Sequence, residues 1–256
     1  MQAKKRFGQN FLTDKKLLED LVNLINVASN DRVLEIGPGK GDLTKILVNI
    51  CDSYFGIELD KDLLIFLKKK FPKNINAFIG GDILKLNPSD IYASKEFRVI
   101  GNIPYNISSP ILDWCEKYYE KILDMHFMLQ KEFALRCAGN EKTSSYGRLS
   151  VICNYLYEVT ILKEVSKEFF NPEPKVDSLF VRFYPKKKKV NQKELHNLKK
   201  VTRALFNKKR KKISNSLEDI LHKESIKKLN LNLNLRPDEL SLSEFLQISA
   251  LVKDDG

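Results

Sequence analysis

The sequence predicts an α/β fold: an open, mostly parallel sheet with helices on both faces, followed by a small all-α domain. Three observations carry this. Short apolar runs alternate with helical stretches between residues 32 and 129, the pattern of strands joined by crossover helices. A glycine-rich turn, Gly37-Pro38-Gly39-Lys40-Gly41, connects the first run to the stretch behind it. Past the charged breakpoint Pro185–Lys189 the spacing of apolar residues becomes purely helical.

Taken in order, residues 14–28 read as a helix that Asp14 caps, with Leu17, Leu18, Leu21, Val22 and Ile25 as its apolar stripe. Strands are expected at Arg32–Ile36, Tyr54–Glu58, Asn76–Ile79, Phe97–Ile100 and Met125–Leu129, and helices at 41–50, 60–70 and 109–121. Residues 146–156 look helical. A pair of strands follows at 157–165 and 178–184, separated by the turn Asn171-Pro172-Glu173-Pro174. Beyond the lysines, helices are expected at 192–207, 213–223 and 239–252. The expected domains are therefore 1–185 and 190–256.

Composition narrows the function classes. The 256 residues are 43% hydrophobic and 30% charged, which suits a soluble globular protein. The formal charge of +11 favours a polyanionic partner or an anionic membrane surface. Residues 187–256 hold 17 Lys/Arg against 9 Asp/Glu, so most of the excess lies there. Cys51, Cys115, Cys137 and Cys153 show neither metal nor disulfide spacing, and reduced thiols in the cytoplasm are expected. No apolar run approaches the ~18 residues needed to span a membrane, and no signal-peptide core is visible at the start. No metal site is expected.

The chemistry is written at the strand ends. A strand running into glycines and then a helix lets the backbone approach a ligand closely. A dinucleotide fold uses the spacing GxGxxG. Here the third glycine follows the second by two residues. That shorter spacing, with Glu35 ahead of it, favours S-adenosylmethionine (SAM) over NAD. Glu58, 21 residues after Gly37, ends the second strand, where a carboxylate can take both ribose hydroxyls. Asp60 and Asp62 read as the cap and first turn of the next helix. Asp82 ends the third strand, placed to accept from an adenine amino group; a turn cap is its competing role. Asn102-Ile103-Pro104-Tyr105 follows the fourth strand. Its side-chain carbonyl, extended backbone and flat ring suit an exocyclic amino group on a base taken out of its helix.

With these motifs in place, the chain resembles the KsgA-type small-subunit ribosomal RNA adenine dimethyltransferases almost end to end. The resemblance rests on Lys5-Arg6-Phe7-Gly8-Gln9-Asn10-Phe11-Leu12, the glycine loop, Glu58, Asp82, Asn102–Tyr105 continuing to Ser108, and Gln130-Lys131-Glu132. It continues through Tyr146–Ser150, Phe170–Ser178, Leu205-Phe206-Asn207 and Arg210-Lys211. It implies a Rossmann-like SAM-binding catalytic domain and a helical RNA-binding C-terminal domain. It implies cofactor contacts from Gln9, Asn10, Leu12, Gly37, Gly39, Glu58, Asp82, Ile83 and Asn102. The implied reaction is N6-dimethylation of two adjacent adenosines in the 3′-terminal hairpin loop of 16S rRNA, within the small ribosomal subunit or its precursor, by a monomer. Relatives that methylate large-subunit rRNA and confer antibiotic resistance share the tetrad, and a non-catalytic assembly factor is a further alternative.

The expected mechanism is direct displacement. The Asn102 side-chain oxygen and the Ile103 carbonyl accept hydrogen bonds from the two N6 protons, and Pro104 or Asn102 borders the space for the first methyl. Tyr105 stacks on the adenine, with Phe170 on its other face and Phe169 as the competing aromatic. Lys4, Lys5, Arg6, Lys186–Lys189 and the segment 208–212, with Lys208, Arg210 and Lys211, are the expected phosphate grip.

Overall fold

Asp14 caps the first long helix as expected: its side chain accepts from the Leu17 N–H at 2.7 Å. This computed structural model describes residues 4, 8–93, 95–186 and 189–253. The strands are β1 (Phe11–Leu12), β2 (Arg32–Ile36), β3 (Ser53–Glu58), β4 (Phe78–Gly80), β5 (Phe97–Asn102), β6 (Ile122–Gln130), β7 (Tyr157–Val165), β8 (Phe170–Asn171) and β9 (Ser178–Pro185). The helices of the sheet region are α1 (Lys15–Ile25), α2 (Thr44–Leu47), α3 (Lys61–Lys70), α4 (Ser89–Tyr92), α5 (Ser108–Lys117) and α6 (Lys131–Ala138). Then come α7 (Arg148–Leu156), α8 (Gln192–Phe206), α9 (Ser214–Leu217), α10 (Lys223–Lys227) and α11 (Leu242–Ser249).

The main sheet has the order β4-β3-β2-β5-β6-β9-β7. Strands β4 to β6 run parallel, and β9 joins β6 antiparallel. The order reverses between β2 and β5, where open sheets leave a crevice at the carboxyl ends of the strands. The alternation in the sequence produced this because parallel strands bury both faces and need crossover helices. β1 pairs with β8 in a separate two-stranded ladder that the sequence did not foreshadow. Two residues per strand carry no readable period.

Several elements differ from expectation for local reasons. The helix expected at 41–50 contracts to Thr44–Leu47, since Gly41 sits at φ +74° at its start. Asn76 and Ala77 belong to a 3₁₀ turn begun by Pro72, which delays β4 to Phe78. Helix α1 stops at Ile25, where Asn26 adopts a left-handed conformation. The helix expected at 213–223 divides into α9 and α10.

The chain divides into two compact units, Met1–Ala134 with Thr160–Pro185, and Leu135–Val159 with Lys186–Gly256. The break expected between 185 and 190 is thus one of several crossings, and residues 135–159 are reassigned from the first expected domain to the second unit. The cause is packing. The Tyr146 hydroxyl donates to the Leu240 carbonyl at 3.0 Å, and Tyr155 donates to Glu194 at 2.5 Å. The rings of Phe206 and Phe245 stack 5.8 Å apart within this unit. In the first unit the apolar cluster joins α1 residues Leu17, Leu18 and Leu21 to Val33, Ile100, Met128 and Phe180 of the sheet.

Candidate active site

A cavity of about 370 Å³ opens at the carboxyl ends of β2, β3, β4 and β5. The glycine turn is part of its lining. Gly37 and Gly39 have φ of +65° and +61°. A Cβ on Gly39 would sit 2.9 Å from the Phe11 ring, whereas one on Gly37 would meet nothing within 4 Å. Gly37 therefore leaves open space beside the backbone, the kind of cradle a ligand fills.

Glu58 ends β3 and ties the turn to the next helix. Its Oε2 accepts from the Gly39 N–H at 3.1 Å and its Oε1 from the Asp60 N–H at 2.9 Å. Burial raises the Glu58 pKa, against the lowering effect of these two backbone donors. Asp82 is a turn cap at the cavity edge. One oxygen caps the short turn Ile83–Lys85 by accepting from the Leu84 N–H at 3.0 Å, and the residue lines the cavity beside the buried Ile83.

Asn102 is the last residue of β5. Its side-chain N–H donates to the Asn10 backbone carbonyl at 2.7 Å. Only the nitrogen end of an amide can do this, so the bond sets which way the group points. Among the described residues no donor is bonded to Asn102 Oδ1 or to the Ile103 carbonyl. Pro104 and Tyr105 line the same cavity. The Tyr105 hydroxyl lies 3.2 Å from Ser178 Oγ, and burial pushes its pKa up.

Gln9, Asn10 and Leu12 also line the cavity. Leu12 is held by pairing opposite Phe170. Sequence reasoning read Glu35 only as a marker of cofactor type. In the structure it is a buried lining residue that accepts from Thr44 at 2.7 Å and Tyr54 at 2.6 Å. Burial pushes its carboxyl up to about 7. Nothing in the sequence marked Thr44, Tyr54 or Ser178 as partners, because each comes from a separate element.

Phe170 requires a correction. It is 4% exposed, belongs to the apolar cluster with Leu17 and Phe180, and does not line the cavity. Its place opposite Leu12 in the β1–β8 ladder keeps it in the core. The accessible aromatic is Phe169, at 38%. The Lys4 ammonium, expected in the phosphate grip, pairs with Asp60 and Asp62 at 2.7 and 2.6 Å. Lys5, Arg6, Lys187 and Lys188 lie outside the described residues. In the second unit Lys186 donates to the Asn154 carbonyl, and Lys208 pairs with Asp219 at 3.1 Å. Arg210 and Lys211 are exposed on the turn after α8.

The lining suits SAM. Among the described lining residues Asp42, Glu58 and Asp82, with the largely neutral Glu35 behind them, outnumber the one base, Lys40, which lies over the Phe11 ring. An acidic cradle favours a cationic ligand and disfavours a pyrophosphate. Sheet order and cavity chemistry together define a Rossmann-like SAM-dependent methyltransferase. The ribosomal RNA adenine dimethylase family matches residues 1–254, and the chain belongs to that family. Ribosomal RNA small subunit methyltransferase A of Coxiella burnetii (strain RSA 493 / Nine Mile phase I) is 38% identical over 255 residues, covering 98% of both chains. The protein of that name from Saccharophagus degradans is 39% identical over 251 residues, covering 97% of this chain and 94% of the relative. A dimethyladenosine transferase from Plasmodium falciparum superposes with a TM-score of 0.77 at 25% identity, covering 94% of this chain and 99% of the other. The 23S rRNA methyltransferase ErmE superposes with a TM-score of 0.73 at 25% identity, covering 94% and 98%.

Proposed function

We propose that the chain transfers methyl groups from SAM to the N6 atoms of two adjacent adenosines in the 3′-terminal hairpin loop of small-subunit rRNA. The single observation that carries the chemistry is the Asn102 amide. Its nitrogen is committed to Asn10, so its oxygen is left to accept from a substrate beside the Ile103 carbonyl. The small-subunit relatives, matched over nearly their whole length, support the choice of RNA.

The nine expected cofactor residues, Gln9, Asn10, Leu12, Gly37, Gly39, Glu58, Asp82, Ile83 and Asn102, all line the cavity. Glu58 would hold the ribose and Asp82 the adenine amino group, the latter with the oxygen not bonded to Leu84. SAM supplies, when bound, a methyl carbon activated by a positively charged sulfur. The chain's part is to position the nucleophile. An adenine N6 is weakly nucleophilic because its lone pair is delocalised into the ring. Asn102 Oδ1 and the Ile103 carbonyl accept hydrogen bonds from its two N–H groups and draw the nitrogen toward tetrahedral geometry. Such positioning supplies several kcal/mol. Once the methyl has moved from sulfur to nitrogen, leaving S-adenosylhomocysteine, the methylated nitrogen is acidic and releases one proton to solvent. Tyr105 carries the base on its ring, and Pro104 borders the space for the first methyl. One N6 proton is left for the second transfer, which needs only one of the two acceptors.

The second unit contributes the RNA grip through Arg210 and Lys211, both exposed. Among the described residues no helix is long and apolar enough to cross a membrane. A ribosomal substrate supports a cytoplasmic site of action. The test is methyl transfer from labelled SAM to purified small subunits and, separately, to large-subunit RNA, with the modified nucleoside identified. N6,N6-dimethyladenosine in the small subunit alone is the expected result. Label confined to large-subunit RNA overturns the reading.

A further inference from the structure

Lys4 and Gln9 are tied to Asp60 by a closed ring of hydrogen bonds. The Lys4 backbone N–H donates to Gln9 Oε1 at 2.9 Å. Gln9 Nε2 donates to Asp60 Oδ2 at 3.2 Å. The Lys4 ammonium returns to Asp60 Oδ1 at 2.7 Å and also reaches Asp62 at 2.6 Å. Asp60 is 3% exposed.

Capping a helix needs one carboxylate oxygen, and Asp60 Oδ1 does that for α3 by accepting from the Asp62 N–H at 3.0 Å. Its second oxygen is spent on Gln9, a cavity residue. A buried carboxylate is costly unless a cation compensates it, and Lys4 is that cation. The ring sits between the two halves of the site. On one side the Asp60 N–H donates to Glu58 Oε1 at 2.9 Å. On the other, Gln9 is bonded in sequence to Asn10, whose carbonyl receives the Asn102 amide.

We infer that Lys4, Gln9 and Asp60 form a clasp that fixes the Asn10 carbonyl and thereby the orientation of the Asn102 amide, making Lys4 and Asp60 positioning residues for methyl transfer. The inference rests on the acceptor role proposed for Asn102. It assigns Lys4 an intramolecular task where its charge and place beside Lys5 and Arg6 suggested RNA. It also gives Asp60 a task beyond its helix cap. The clasp links the acid proposed for the cofactor ribose to the acceptor proposed for the target base through hydrogen bonds and one peptide connection.

The test compares Lys4→Ala, Lys4→Arg and Asp60→Asn with the unaltered chain. Asparagine keeps the cap acceptor and removes the ion pair. Two readouts are taken: the ¹H–¹⁵N signals of the Asn102 side-chain amide, identified by their loss in Asn102→Ala, and the single-turnover rate at saturating SAM and small-subunit substrate. In Lys4→Ala and Asp60→Asn the amide signals are expected to shift and broaden and the rate to fall about tenfold. Substrate Kd stays unchanged, and Lys4→Arg retains the amide signals and most of the rate. Unchanged amide signals in Lys4→Ala overturn the inference, as does a rate loss explained wholly by weaker substrate binding. A fully active Asn102→Ala would overturn the acceptor role. An inactive Asn102→Ala beside a fully active Lys4→Ala overturns the clasp alone.

Discussion

The Asn102 side-chain nitrogen lies 2.7 Å from the Asn10 backbone oxygen, joining residues 92 apart in the chain. This bond gives the tetrad a direction. Without it the amide could present either end to the cavity; with it, the donor end is used and the acceptor end is left for the cavity.

Asn102→Asp is the sharpest probe of that direction. A carboxylate cannot donate to the Asn10 carbonyl, so repulsion replaces the bond and the side chain turns away. Single-turnover transfer should fall at least about 100-fold in both Asn102→Asp and Asn102→Ala, with far-UV circular dichroism unchanged. Transfer within a few-fold of the unaltered chain would remove Asn102 from the mechanism.

Tyr105 separates ring from hydroxyl. Tyr105→Phe loses only the contact to Ser178 and should transfer methyl at a rate close to the parent's. Tyr105→Ala loses the stacking face, worth about 1–3 kcal/mol per base. Equal rates in the two variants would argue against stacking on this ring.

Gly39→Ala tests the turn. Its φ of +61° and the Phe11 ring 2.9 Å from an added Cβ combine strain with a clash. A left-handed alanine costs about 1–2 kcal/mol, and the Phe11 contact adds to it. Calorimetry should show a lower Tm and weaker binding of S-adenosylhomocysteine, the reaction's product nucleoside.

Glu35 makes stability depend on pH in an unusual direction for a carboxylate. Burial raises its folded pKa from 4.5 to about 7. Between those values the folded state holds a proton that the unfolded state has released, so this group's contribution falls as pH rises through the window. Glu35→Gln, which keeps an acceptor for Tyr54 and Thr44, removes the effect. The Tm difference between Glu35→Gln and the parent should therefore grow in favour of the variant from pH 4.5 to pH 7.

The basic turn after α8 divides by pairing. Arg210→Ala and Lys211→Ala should each reduce the salt slope of small-subunit binding by about one. Lys208→Ala should change it less, because Asp219 already holds that ammonium. Identical slopes for all three would show that the Asp219 pair opens on binding.

The sequence by itself determined the α/β class, the glycine turn, the order Gly37, Glu58, Asp82 and Asn102 along successive strand ends, and the family resemblance. These are legible because they are local: a strand, its terminal acid and the following turn lie within a few residues, and alternation of apolar runs reports buried strands directly. The tertiary structure alone decided the rest. Register in the two-residue β1–β8 ladder put Phe170 in the core and left Phe169 exposed. Packing by Tyr146 and Tyr155 drew residues 135–159 into the second unit. The side chains of Lys4, Glu35 and Asn102 bond across 56, 9 and 92 residues of chain. Such pairings follow from which strand ends meet around the cavity, and no periodicity or spacing along one chain encodes that meeting.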